Sequence, residues 1–132
     1  MKRCLIAFVV ALMLLCGCSN QSATNETDTY TQITQERAKE MMDEESVIIL
    51  DVREQNEFDS GHIPEAVLLP VGTITDSTAS AVIPEKDSVV LVYCRSGNRS
   101  KTASQALVDL GYSNIYEFGG INTWPYDVVT AD

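Results

Sequence analysis

Basic residues are scarce in this chain, with nine Lys and Arg against 19 Asp and Glu in 132 residues, for a net charge of −10 at pH 7. Nucleic-acid binding rests on clustered cations that displace counterions from phosphate, so this balance excludes nucleic acid as a partner class. The acidity itself reads as a solubility feature rather than a binding surface. Histidine is almost missing: His62 is the only one, and so the only side chain that ordinarily titrates near neutrality. Long hydrophobic stretches are missing too, since the apolar run at residues 4–15 falls short of the roughly 20 residues that span a bilayer as a helix. The length leaves room for one globular domain of about 100 residues plus appendages, and not for two.

Of the four cysteines, Cys4, Cys16 and Cys18 lie at the amino-terminal end and only Cys94 lies further on. Lys2 and Arg3 followed by the apolar run read as a secretory signal peptide over residues 1–17. Leu15-Cys16-Gly17-Cys18 also resembles the lipobox of bacterial lipoproteins, which makes Cys18 the expected lipidation site. The alternative is an ordinary signal peptide cut nearby with no lipid. Two or more acyl chains on Cys18 would hold the protein stably at a membrane, where one would not. Residues 18–29 are polar, with no large apolar side chain, and are expected to be a flexible tether; residues 30–132 form the domain. The expected location is extracytoplasmic, on a bacterial membrane and held there only by the lipid. Loss of residues 1–17 removes Lys2 and Arg3 but no acid, which takes the charge from −10 to −12, seven basic against 19 acidic residues. It leaves Cys94 as the one free thiol, with no partner for a disulfide.

The stretch with the most chemistry surrounds that thiol. Residues 89–93, Val-Val-Leu-Val-Tyr, form a continuous β-prone run that suits a strand covered on both faces of a parallel sheet. Ala103, Ala106, Leu107 and Leu110 then recur at helical spacing, and Gly111 follows as a C-terminal cap. Between strand and helix stands Cys94-Arg95-Ser96-Gly97-Asn98-Arg99-Ser100. The carboxyl end of such a strand is where open α/β sheets place their ligands. A loop of this kind can aim successive backbone N–H groups at one point, and the next helix adds its positive end. Together with Arg95 and Arg99, that setting favours thiolate over thiol.

These residues, with Leu50-Asp51-Val52-Arg53, Glu57-Phe58-Asp59-Ser60-Gly61-His62-Ile63-Pro64, Leu110-Gly111-Tyr112 and Phe118-Gly119-Gly120-Ile121 before Trp124-Pro125, resemble the rhodanese family along nearly all of residues 30–126. Rhodaneses are sulfurtransferases that carry sulfane sulfur as a cysteine persulfide. Related phosphatases and arsenate reductases use a Cys-x5-Arg loop. This chain has the shorter Cys94-x4-Arg99, with Ser100 where that arginine would fall, which favours sulfur transfer. The resemblance implies a three-layer α/β domain with a five-stranded, mainly parallel sheet and helices on both faces. Cys94 is then the catalytic residue, and residues Arg95, Ser96, Gly97, Asn98, Arg99 and Ser100 bind substrate, with the two arginines on the anionic donor. The expected substrates are a small anionic sulfur donor such as thiosulfate and a thiol or cyanide acceptor. No metal and no organic cofactor is needed. Two other readings stand beside it: a persulfide relay or binding module serving a partner protein as sulfur acceptor, and a phosphatase or arsenate reductase of related fold.

Elsewhere the pattern predicts a short strand at residues 30–33 and a helix from Thr34 to about residue 44, with Ala38, Met41 and Met42 inward. Further strands are predicted at 47–50, 67–69 and 114–118, with a short helix after Asp76. Gly119 and Gly120 are expected to turn the chain towards a core Trp124. Asp51 and Arg53 are assigned structural roles, bonding loop backbone or pairing with Glu57 or Asp59. His62 belongs to a segment that resembles a scaffold turn in the family, and a Cys94 already present as thiolate needs no base. Glu65 stands where the family commonly has Gly; if the position requires a positive φ, Glu there costs about 1 to 2 kcal/mol.

Overall fold

The structure, a computed structural model, describes residues 29–131. The expected signal peptide, the Cys18 lipidation site and nearly all of the tether lie outside the described residues. Five strands form one sheet in the order β1-β5-β4-β2-β3, where β1 is Thr31–Gln32, β2 Ile48–Asp51, β3 Val67–Leu68, β4 Val89–Cys94 and β5 Asn114–Gly120. Every pairing in it is parallel. The fold is a three-layer α/β arrangement, with helices on both faces of the sheet.

Alternation along the strands sorts the core into two layers, because successive side chains of a strand point to opposite faces. Leu50, Val90, Val92, Cys94 and Ile115 pack on one face with Ala79 and Ile83 and with Ala103 and Leu107. These last four come from or adjoin α3 (Asp76–Val82) and α4 (Asn98–Asp109). Ile49, Leu91, Tyr93 and Phe118 face the other way, onto Trp124 and onto Ala38 and Met41 of α1 (Gln35–Glu44). Met42 is only partly buried against that layer.

Local chemistry sets the helix ends. The Arg37 N–H donates to the Thr34 hydroxyl at 3.0 Å, and the Thr78 N–H to the Thr75 hydroxyl at 3.1 Å, each satisfying a donor the helix leaves open. At the far end of α4, the N–H groups of Gly111 and Tyr112 donate to the carbonyls of Val108 and Leu107 at 2.9 and 3.1 Å, the paired bonds of a Schellman closure. The pattern did not anticipate α2 (Gln55–Ser60). It lacks a buried face, but the Glu54 N–H donates to the Glu57 carboxylate at 3.0 Å, as in a capping box. The glycines at 119 and 120 prolong β5 rather than turning the chain directly. A single turn of 3₁₀ helix at Ile121–Thr123 makes the turn instead.

Asp51 and Arg53 are both buried and pair with each other at 2.6 Å, not with Glu57 or Asp59. The Tyr93 hydroxyl donates to the same Asp51 carboxylate at 2.7 Å and accepts from the Ile63 N–H at 3.1 Å. Arg53 also donates to the Gly61 carbonyl at 2.7 Å. This cluster fastens the segment after β2 to β4. Burial, with the adjacent Asp51 carboxylate, pushes the Tyr93 hydroxyl far above its usual range, so it stays a protonated donor. His62 is part of the scaffold: its ring stacks on Phe58 with centroids 3.8 Å apart, and its Nδ1 lies 2.8 Å from the Phe58 carbonyl. Glu65 adopts φ 69°, the left-handed conformation that disfavours a side chain.

Candidate active site

The strand order decides where a site can form. From β2 the chain passes outward to β3, whereas from β4 it passes to β5 on the opposite side. Neighbouring strands whose connections diverge leave a crevice beyond their carboxyl ends. Cys94 is the last residue of β4, and Arg53 and Glu57 follow β2, so these segments meet at that crevice. A hollow of about 300 Å³ lies there, lined by Arg53, Asn56, Glu57, Ser60, Arg95, Ile121 and Asn122.

Two features of β5 shape the cysteine loop. The register between β4 and β5 shifts between Val92 and Cys94, so that Cys94 pairs with Gly120; such a bulge re-aims the side chain it carries. The loop backbone then lies directly on Gly120. A Cβ there would sit 2.0 Å from the Arg95 carbonyl oxygen and 2.5 Å from the Ser96 nitrogen, so no side chain is tolerated. The Asn122 N–H holds the same Arg95 carbonyl at 3.1 Å. Gly97, at φ 100°, supplies the left-handed step that starts α4 and turns its N–H back onto the Cys94 sulfur at 3.1 Å.

Around the sulfur the loop is built for an anion. Burial pushes the Cys94 thiol up. The Ser100 hydroxyl and the N–H groups of Ser100, Gly97 and Ser96 act the other way, and the balance leaves the thiol below its ordinary range. The Ser100 Oγ lies 3.4 Å from the sulfur. Asn98 and Arg99 open the helix, and Arg99 makes two bonds to the Glu57 carboxylate, at 2.7 and 2.9 Å. That pairing holds Glu57 down to about 2, with burial opposing it. The guanidinium expected to hold a donor is thus committed to fastening α4 against α2.

Five of the seven lysines and arginines among the described residues sit in ion pairs. The two without one are Arg95 and Lys101, and both flank the cysteine loop. Arg95 lines the crevice, while Lys101 lines a second hollow of about 490 Å³ on the other side of the loop, with Gln32, Gln35, Ser96, Gly97, Glu117 and Asn122. Sequence reasoning singled out Arg95 but missed Lys101. It also missed Glu117, a buried carboxylate that accepts from the Ser100 hydroxyl at 2.6 Å and the Gly119 N–H at 2.9 Å. A lone acid inside the apolar run of β5 was the available signal.

The arrangement provides a sulfur nucleophile, a ring of N–H donors for a negative charge on it, and two unpaired cations at its edges. Comparison with known proteins gives a consistent result. A family model described as the rhodanese-like domain matches residues 34–125. Thiosulfate sulfurtransferase GlpE of Coxiella burnetii is 33% identical over 104 residues, 78% of this chain and 94% of that protein. A putative mitochondrial thiosulfate sulfurtransferase of Schizosaccharomyces pombe is 40% identical over 87 residues, covering 58% of this chain and 61% of the other. Among solved structures, a rhodanese-related protein of Thermoplasma volcanium superposes with a TM-score of 0.64 at 30% identity, over 77% of this chain and all of that one.

Proposed function

Because the chain belongs to the rhodanese-like domain family, whose activity is sulfur transfer, we propose that it moves sulfane sulfur through a persulfide on Cys94. The observation that carries this reading is the N–H of Gly97, the residue that leads into α4, aimed at the Cys94 sulfur at 3.1 Å. In the first half-reaction the Cys94 thiolate attacks the outer sulfur of a donor such as thiosulfate. A new S–S bond forms as the old one breaks, and sulfite leaves with the bonding pair. The persulfide keeps one negative charge within reach of the same N–H donors that favoured the thiolate. In the second half-reaction a thiol or cyanide attacks the outer sulfur and Cys94 leaves as thiolate.

The unpaired Arg95 and Lys101 supply the positive field for a small anionic donor, and Arg99 positions α4 through Glu57. Transfer to a protein acceptor follows the same chemistry and stands as a second possible second half-reaction. We also propose that the chain is exported and anchored by lipid on Cys18, outside the cytoplasm, on the strength of Lys2, Arg3, the apolar run and Leu15-Cys16-Gly17-Cys18.

The test is to incubate the purified protein with thiosulfate and weigh it intact. Sulfur transfer adds one sulfur to the protein and none to Cys94→Ser. An unchanged mass alongside turnover of a phosphate ester or arsenate would replace this reading with the Cys-x5-Arg type of chemistry. Membrane fractionation of Cys18→Ala checks the anchor: release into the soluble fraction or arrested processing supports it, and unchanged lipid-bearing partition refutes it.

A further inference from the structure

Glu117 has no part in the reaction as written, yet it is buried and reaches the nucleophile through one side chain. Cys94, Ser100 and Glu117 are 1%, 0% and 3% exposed. They form a file in which the Cys94 sulfur lies 3.4 Å from the Ser100 Oγ, and that oxygen 2.6 Å from the Glu117 Oε1. A hydroxyl carries one proton and can donate it once. At 2.6 Å it is given to the carboxylate, so the oxygen turns a lone pair towards the sulfur and can only accept from it. While that bond stands the arrangement suits a thiol; once Glu117 is protonated the same hydroxyl can donate to the sulfur, and it then favours the thiolate.

We propose that Glu117, acting through the Ser100 hydroxyl, is the positioning residue that sets the protonation state of Cys94, the pair sharing one negative charge. At rest the charge is on the carboxylate and the sulfur keeps its proton. The nucleophile forms when the S–H proton passes to the Ser100 Oγ as the Ser100 O–H proton passes to the Glu117 Oε1. One proton leaves sulfur, one arrives at carboxylate, and Ser100 is unchanged, now donating to the thiolate. When Cys94 leaves in the second half-reaction the same two protons return. The inference rests on the persulfide reading of Cys94 and adds to it a buried proton store beside the sulfur.

The surrounding groups leave Glu117 in control. From α4, Arg99 faces the loop but is held by Glu57, and Lys101 lines the same hollow as Glu117. From β1, Gln32 offers an uncharged amide to Glu117 at 3.4 Å, and from α1, Gln35 spends its amide on the Gly120 carbonyl and the Thr123 hydroxyl. Arg95 is exposed and lines the other hollow, not the one that Glu117 lines. Asp51 is taken up by Arg53 and Tyr93, with Tyr93 on the opposite face of the sheet from Cys94.

The experiment follows thiolate ultraviolet absorbance and iodoacetamide alkylation against pH in the full chain, without any sulfur donor. Glu117→Gln should lower the midpoint of thiol ionisation by about 1 to 3 pH units, the effect of removing a like charge from a buried neighbour. Ser100→Ala should raise it. In the Ser100→Ala background the Glu117→Gln shift should fall to less than half, because the connecting hydroxyl is gone. Glu117→Asp keeps the charge but draws it away from Ser100, and should give an intermediate midpoint if the amide variant does not fold. A midpoint that Glu117→Gln leaves unchanged or raises overturns the proposal. So does a shift of equal size with and without Ser100, which would mean a field acting directly. Because no donor is present, these outcomes are independent of whether the wild-type mass gains sulfur.

Discussion

Gly120 is the position where one methyl group should separate the fold from the chemistry. A Cβ there lies 2.0 Å from the Arg95 oxygen and 2.3 Å from the Arg95 carbonyl carbon, and real Cβ atoms do not approach within 3.0 Å. Gly120→Ala must therefore push the loop or the strand back by about 1 Å, a displacement that forces shifts in a packed interior. Both sides are backbone, so no rotamer can absorb it. Overpacking of this kind costs about 1 to 3 kcal/mol, which in a domain of this size lowers Tm by roughly 5 to 20 °C. The same displacement moves the N–H groups away from the Cys94 sulfur, and a misplacement of about 1 Å can cost roughly 10²-fold in rate. The assay is the rate at which the folded variant gains sulfur mass from thiosulfate, measured below its Tm. Gly72→Ala is the control, since a Cβ there meets nothing within 4 Å, and it should load like wild type. Wild-type loading by Gly120→Ala would show that the loop does not depend on this contact, and the account of how β5 shapes the site would be wrong.

Glu65→Gly should stabilise the domain by about 0.5 to 1 kcal/mol, because it relieves the left-handed φ while giving back part of the gain in unfolded-chain entropy; a lower Tm would refute the strain. Glu57→Gln tests the pair with Arg99. A carboxyl held down to about 2 from 4.5 contributes stability that is present above about pH 4.5 and lost as pH falls towards 2. The variant should thus be less stable by about 1 kcal/mol at neutral pH and match wild type in strong acid, as followed by urea denaturation; a difference that is constant with pH counts against the pair. Arg95→Leu should raise KM for thiosulfate about tenfold with little change in Tm, whereas Arg99→Leu should lower Tm. The reverse pattern would return the donor to Arg99.

The parallel α/β class, the central strand at Val89–Cys94 and the helix after it were legible in the sequence, because a strand buried on both faces must be apolar throughout and an amphipathic helix must repeat at its own period. The position of the thiol at the end of that strand was legible too, since Cys94 stands between those two patterns with only small and polar residues after it. These are local properties, written in neighbouring residues. The partners of the charges were not. Arg99 meets Glu57 across 42 positions, and Ser100 meets Glu117 across 17. Asp51 and Arg53, two residues apart, find each other only because burial leaves them no water to face. The same limit hid α2, whose short span has no buried face for a pattern to mark, and Lys101, which is distinguished only by lacking an ion-pair partner among the described residues. Sequence alone determined which strand carries the thiol and which loop surrounds it. Tertiary structure decided which cations among the described residues are left out of ion pairs and which buried carboxylate stands behind the sulfur, because pairing depends on distance in space and the order of strands in the sheet sets those distances.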